Sequence, residues 1–374
     1  MLRYTTAGES HGKGIVAILE GIPSGLKLVK EKIDLDLKRR QWGYGRGKRM
    51  EIEADKVEIL SGIRKGVTLG SPIALLVQNK DYKIEELLSV VCPRPGHADL
   101  AGALKYNTKD IRNILERASA RETVGRVAVG AVCKMLLAEF GIEVVSHVIG
   151  IGKVRIETQG LFYSRIKSWT EKSVLRCINK GAERKMIEEI EEARIKGDTL
   201  GGVFEIAILG VPPGLGSFMQ SDLRLDGRLA QAIMSIQSVK AVEIGGGLVA
   251  AKSFGSAVHD AIYFDKKKGF YRKTNNAGGL EGGITDGEPV IIRGFMKPIS
   301  TLMSPLNSVN VITKKPDKAA TERSDVCVVP AAGVVGEAVS AFEIAKALRE
   351  KFGGDSLAEI KCSYECYKRQ LKDF

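Results

Sequence analysis

Two periods of apolar spacing divide the chain into helical and extended stretches. Over 121–140 the residues Val124, Val127, Ala128, Ala131, Val132, Met135 and Leu136 recur at helical spacing, which predicts an amphipathic helix with that stripe buried. The stretch 100–118 follows the same period less regularly. Residues 183–196 read as a charged surface helix, with Glu192 four residues before Lys196, and 335–348 carries Ala338, Val339, Phe342 and Ala345 on one face. Strands are predicted at 15–19, 50–60, 73–77, 203–209, 290–293 and 326–329. Runs of strands precede runs of helices, so the pattern predicts an α+β fold with antiparallel sheet rather than a regular βαβ alternation. Gly- and Pro-rich loops fall at 42–49, 92–98, 211–217, 274–287 and 297–306, with no long linker and no fixed-period repeat. A single large domain over 1–374 is expected.

Composition narrows the class. With 374 residues and 44% apolar content the chain can bury a core without staples. Its six cysteines, Cys92, Cys133, Cys177, Cys327, Cys362 and Cys366, form no CxxC pair, which argues against a zinc ribbon or a dithiol redox motif. No long uncharged apolar run occurs, and the first twenty residues do not resemble a signal peptide, so a reduced, cytoplasmic protein with no membrane contact is expected.

Charge points to the partner. Lys and Arg exceed Asp and Glu by 57 − 45 = 12, which favours anionic ligands. Aromatics are only 6%, and no RNP pattern, zinc finger or basic zipper occurs, so nucleic acid is the weaker reading. The phosphate loop GxxxxGK[ST] is absent, as is a GxGxxG that follows a strand and opens a helix. Any phosphate must therefore be held by arginine side chains. Residues 8–12, GESHG, formally match the nucleophile elbow of serine hydrolases, but too little chain precedes Ser10 and a strand-like IVAILE follows it, which disfavours a hydrolase.

Histidine is scarce. His147 and His259 lie in ordinary strand-like surroundings, whereas His11 in GESHG and His97 in PRPGHAD sit beside glycine in polar loops, where an imidazole can approach a ligand. They suit an acid and a base, or metal ligands with a carboxylate; without a HExxH spacing metal takes the smaller share and no metal is assigned. Arginines 39, 40, 46, 49, 94, 117, 121 and 323 stand next to Gly, Ser and His rather than alternating with Glu, unlike a solvated basic face. At about 1.5–3 kcal/mol per charge-assisted contact, four or five give roughly 6–15 kcal/mol, which brackets the ~8 kcal/mol of micromolar binding. A small polyanion fits.

These residues carry a resemblance. GESHG at 8–12, ERASARETVGRVAVG at 116–130 and RSDVCVVPAAGVVGEAV at 323–339 occur in order, with GYGRGKRM at 43–50, PRPGHAD at 93–99 and AGGLEGGITDGEP at 277–289 between them. Over nearly its whole length the chain resembles the chorismate synthase family. The resemblance implies a lyase of the shikimate pathway, in aromatic amino acid biosynthesis. Such a lyase removes phosphate from C3 and hydrogen from C6 of 5-enolpyruvylshikimate 3-phosphate by anti-1,4-elimination and needs reduced FMN, with NADPH as one reductant of the flavin. It also implies helices sandwiched between antiparallel sheets and a homotetramer.

Carried over by position, the resemblance places His11 near the leaving phosphate, His97 beside the flavin ring, Asp325 near flavin N5 and Ser10 in the same site. It assigns Arg40, Arg46, Arg49, Arg94 and Arg121 to the substrate anions. Arg117, Ala118, Ser119, Gln237, Ser238, Gly282, Lys297, Pro298, Ile299, Ser300, Thr301 and Arg323 match FMN-holding segments. Two departures each remove a hydroxyl and keep the cation: Arg117-Ala118-Ser119 where relatives commonly have Arg-Ser-Ser, and KPIST at 297–301 in place of KPTSS. The roles agree with the chemistry, since fixed guanidiniums and a protonated imidazole stabilise charge growing on a leaving phosphate. A structural ion pair between Asp325 and Arg323 is the alternative for that aspartate.

Overall fold

The computed structural model describes residues 1–47, 54–158, 161, 163–267, 269–322 and 325–374. Strands β1 (Arg3–Ala7), β2 (Gly14–Glu20), β3 (Val57–Ile59) and β4 (Ile73–Gln78) form an antiparallel sheet in the order β1-β2-β4-β3. In its register Ile15 lies opposite Val77, Ala17 opposite Leu75 and Leu19 opposite Ile73. All six are buried, because period-two spacing sends them to one face. A second antiparallel sheet joins β5 (Glu143–Ile151), β6 (Val154–Arg155), β7 (Gly202–Leu209), β8 (Val239–Ile244) and β9 (Val290–Met296) in the order β8-β9-β7-β5-β6.

The main helices are α1 (Lys30–Gln41), α2 (Asp99–Lys105), α3 (Arg112–Ala118), α4 (Thr123–Ala138), α5 (Lys180–Ile195), α6 (Leu225–Met234), α7 (Val329–Phe352) and α8 (Leu357–Asp373). Helix α4 packs on β2 and β4, α7 packs on β5 and β7, and the two helices pack on each other. The helical layer therefore lies between the sheets, as expected. Helix α7 is apolar around most of its circumference because it is buried on nearly every side. Its contact with α4 is close enough to require glycine: a Cβ added at Gly130 would lie 2.3 Å from the Ala338 Cβ. One core cluster draws on residues from Leu2 to Tyr364.

Three predicted elements differ. The strand expected over 50–60 forms only at Val57–Ile59; 48–53 lie outside the described residues, and Asp55 is instead drawn inward by two arginines. The run 326–329 is not a strand. Cys327 makes one bridge to Leu200, and Val329 opens α7, an ambiguity that a short apolar run cannot resolve by periodicity. The helix over 100–118 is broken into α2 and α3, because Asn107 turns left-handed at φ 51° and the Asp110 carboxylate accepts from the Arg112 and Val90 amides at 2.9 and 3.1 Å. Helices α1, α6 and α8 and strands β1, β5, β6 and β8 have no counterpart in the pattern of the sequence. Among the described residues no helix is long and apolar enough to cross a membrane, and all six cysteines are free thiols.

Candidate active site

The GESHG segment is the loop between β1 and β2. Gly8 opens it at φ +113°, and a Cβ there would meet the Gly14 carbonyl oxygen at 2.2 Å, so only glycine fits. Asn79, just past β4, staples the loop by donating from Nδ2 to the carbonyls of Glu9, Ser10 and Gly12 at 3.1, 3.2 and 2.7 Å. The end of α3 completes it. Ser10 N donates to the Glu116 carbonyl at 3.0 Å, and His11 N donates to Glu116 Oε2 at 2.8 Å. The His11 ring Nδ1 lies 2.9 Å from Glu116 Oε1. Arg117 donates to the carbonyls of Gly8 and Thr6 at 2.9 and 3.0 Å, and Ser119 Oγ lies 3.3 Å from Ser10 Oγ. Burial pushes the Glu116 carboxyl up, but the His11 hydrogen bonds and Arg112 more than offset this and hold it below the ordinary carboxylate range.

Beside this loop lies the arginine cluster. Asp55 accepts from Arg40 Nη2 at 2.9 Å and from Arg121 Nη1 at 2.6 Å, and Arg121 Nε donates to Asn79 Oδ1 at 2.8 Å. Arg46 pairs with Asp325 at 2.8 Å, and the Gly47 amide donates to the same carboxylate at 2.5 Å. Arg40 is held below its ordinary value by burial, with Arg121 and Arg46 adding to the effect and Asp55 opposing it. These arginines thus do not face one another bare, since Asp55 and Asp325 intervene. Arg49 and Arg323 lie outside the described residues.

A second cluster gathers on the PRPGHAD turn and the 297–301 segment. Fully buried Asp99, at the start of α2, accepts from Arg94 N and Nε at 3.0 and 2.8 Å and lies 2.5 Å from His97 Nδ1. Arg94 Nη1 reaches Thr301 Oγ1 at 2.8 Å, which ties the turn to the 297–301 segment. Ser300 Oγ donates to the Gly96 carbonyl at 2.6 Å, and Lys297 Nζ donates to Ser300 Oγ at 3.1 Å. Lys297 N meets the Ser238 carbonyl at 2.9 Å, and Thr199 Oγ1 holds the Ile299 carbonyl at 2.8 Å. The next residue, Leu200, takes the Val326 carbonyl at 2.9 Å, which brings the segment beside Asp325. Burial lowers the Lys297 ammonium below its ordinary value, and Lys240 adds to this. The Asp99 carboxyl is raised by burial but held well below its usual range by hydrogen bonds from His97 and Arg94. Gly282, at φ +60°, turns the short hairpin that follows Leu280.

The sequence reading passed over four residues that hold these clusters together: Glu116, Asp99, Asp55 and Asn79. Asp99 stands two residues after His97, so a search for carboxylates beside each histidine would have found it; Glu116, 105 residues from His11, offers only its place directly before Arg117. Asp55 and Asn79 carry no local signal.

Comparison with known proteins shows the family. The family model described as chorismate synthase matches residues 2–348. Proteins named chorismate synthase from Geobacter metallireducens and Aquifex aeolicus are each 53% identical to this chain over 393 aligned positions, covering all of it and 100% and 99% of their own lengths. The relative from Geobacter sulfurreducens is 54% identical over 393 positions, with both chains fully covered. A solved structure titled "Crystal Structure of Chorismate Synthase" superposes with a TM-score of 0.83 at 46% identity, covering 100% of this chain and 99% of its own. Agreement of sequence and fold along the full length leads to one conclusion: the chain belongs to the chorismate synthase family, lyases of the shikimate pathway.

Proposed function

We propose that this chain forms chorismate from 5-enolpyruvylshikimate 3-phosphate by anti-1,4-elimination of phosphate, with reduced FMN as its cofactor. The observation that carries the reading is that Arg40 and Arg121 gather on Asp55, and Arg121 also on Asn79, whose amide holds the loop that presents Ser10 and His11. A substrate with one phosphate and two carboxylates matches such a set of cations. Arg40, Arg46, Arg49, Arg94 and Arg121 bind those anions, and fixed guanidiniums stabilise the leaving phosphate without reorganising.

The second cluster fits a flavin. Gln237 Oε1 is buried without a hydrogen-bond partner among the described residues, and Lys297 has no carboxylate among its described hydrogen-bond partners. Ser119, Gln237, Ser238, Gly282, residues 297–301 and, by position, Arg117, Ala118 and Arg323 would hold FMN. When bound, the reduced cofactor supplies electron density to the allylic system. His11 protonates the leaving phosphate, Ser10 hydrogen-bonds in the same site, His97 would help to hold the cofactor, and Asp325 handles the proton lost from C6.

The same reading takes the chain as one domain acting in the cytoplasm as a homotetramer, without nucleic acid or membrane. It takes the flavin as reduced by an outside source, since no dinucleotide fingerprint lies in the sequence. The test is phosphate release from 5-enolpyruvylshikimate 3-phosphate under anaerobic conditions with dithionite-reduced FMN. Absence of turnover overturns the reading, and aerobic turnover with NADPH and FMN alone overturns the outside reductant.

A further inference from the structure

Among the described residues, His11 makes its ring contacts through Nδ1 only, and both go to Glu116, at 2.9 Å to Oε1 and 3.1 Å to Oε2. The same carboxylate takes the His11 backbone amide at 2.8 Å, so two atoms of one residue are clamped by one buried side chain. The loop around the clamp is rigid: the His11 carbonyl accepts from the Lys83 and Ile84 amides at 3.0 and 3.1 Å, and Asn79 holds three neighbouring carbonyls. Arg112 stands 3.7 Å behind Glu116 and is itself tied to Glu322 at 2.9 Å, which keeps the carboxylate aimed at the loop.

An ionised carboxylate only accepts, so the nitrogen facing it must carry the proton, and the opposite nitrogen is left for a ligand. We propose that Glu116 is the positioning residue of His11: it fixes the ring with Nδ1–H toward itself and so makes Nε2 the atom presented to the leaving phosphate. The proposal rests on the reading above for the identity of that phosphate, but the tautomer does not depend on it. The second histidine repeats the geometry, since His97 Nδ1 lies 2.5 Å from Asp99. Asp99 also binds Arg94 through the backbone and the guanidinium, so its removal would disturb two functions at once. Glu116 gives the cleaner test.

The experiment pairs a spectrum with kinetics. In selectively labelled wild-type protein, correlation spectra of the histidine ring nitrogens, assigned against His11→Ala, should show the neutral His11 ring as a single Nδ1–H tautomer. In Glu116→Gln, which keeps the shape and removes the charge, that ring should become a tautomer mixture, with kcat lowered about 10–100-fold, as for other residues that orient a histidine from behind. KM for substrate should change less than about threefold. Glu116→Asp should recover part of the lost kcat. An Nε2–H tautomer in the wild-type protein overturns the proposal whether or not the variant folds, and so does an unchanged tautomer with unchanged kcat in Glu116→Gln. Full turnover in His11→Ala would instead overturn the role of His11 while leaving the tautomer assignment standing.

Discussion

Arg46 and Asp325, far apart in sequence, form an ion pair at 2.8 Å, and the amide of Gly47 reinforces it from the same side. A carboxylate so held is fixed in orientation, as the proposed acceptor of the C6 proton must be. Asp325→Asn preserves the amide contact and removes the charge. Turnover should fall by ~10²-fold or more, while the melting temperature moves less than on loss of the fully buried Asp55 carboxylate. Kinetics with reduced FMN, beside a thermal melt, check this; a large loss of stability with near-normal turnover would make the pair structural.

His11→Ala and His97→Ala should each lower turnover by ~10²–10⁴-fold. Their stabilities should differ. Without the ring, buried Glu116 loses its closest side-chain partner, at a cost of about 1–3 kcal/mol. Asp99 keeps three hydrogen bonds from Arg94 and should lose less. Urea titrations of the two variants measure the difference.

Asp55 stands between two buried guanidiniums. Asp55→Asn should destabilise the protein by about 3–5 kcal/mol, since it leaves uncompensated charge in a buried site. Substrate should then raise the melting temperature more in the variant than in wild type, because its anions replace the missing carboxylate. Equal ligand-induced shifts would count against Arg40 and Arg121 as anion binders.

Lys297 is partly buried without a carboxylate among its described partners and is held below its ordinary value by burial and by Lys240. An incoming phosphate relieves that state. Lys297→Gln should weaken FMN binding by about 1.5–3 kcal/mol, the range of one charge-assisted hydrogen bond. Flavin fluorescence titration reads it directly, and unchanged affinity would remove Lys297 from the cofactor site.

Glu337 lies fully buried in α7 and accepts from Arg39 at 2.8 and 2.9 Å, Lys134 at 2.5 Å, Arg176 at 3.0 Å and Ser146 at 2.7 Å. Burial pushes its carboxyl up, but Arg39, Lys134 and Arg176 outweigh that and hold it well below the usual range. A folded-state value below the unfolded one, about 4.3, means that its contribution is present above that pH and lost as pH falls through the folded value. Asp99, Glu116 and Glu205 shift the same way, so stability should decline below about pH 4. Glu337→Gln should cost about 3–5 kcal/mol near neutral pH and flatten the acid limb. Urea midpoints across pH test both; an unchanged acid limb would mean that Glu337 is not ionised in the folded protein.

Local pattern determined much of this protein. The stripe from Val124 to Leu136 became the buried face of α4, and the alternations at 15–19 and 73–77 became the inner face of the first sheet, because burial of one face is written into spacing itself. The loops GESHG and PRPGHAD were legible for a similar reason, since glycine next to histidine is a local feature. Helix α1 was not, because Asp36 and Arg40 are buried on it and break the apolar stripe that periodicity needs. Tertiary structure alone decided which charges meet. Asp55, Asn79 and Glu116 have carboxylate or amide side chains like many others in the chain, and only folding brings each within hydrogen-bond reach of Arg40, Arg121 or His11. Burial then makes those few contacts strong, because water no longer competes for them.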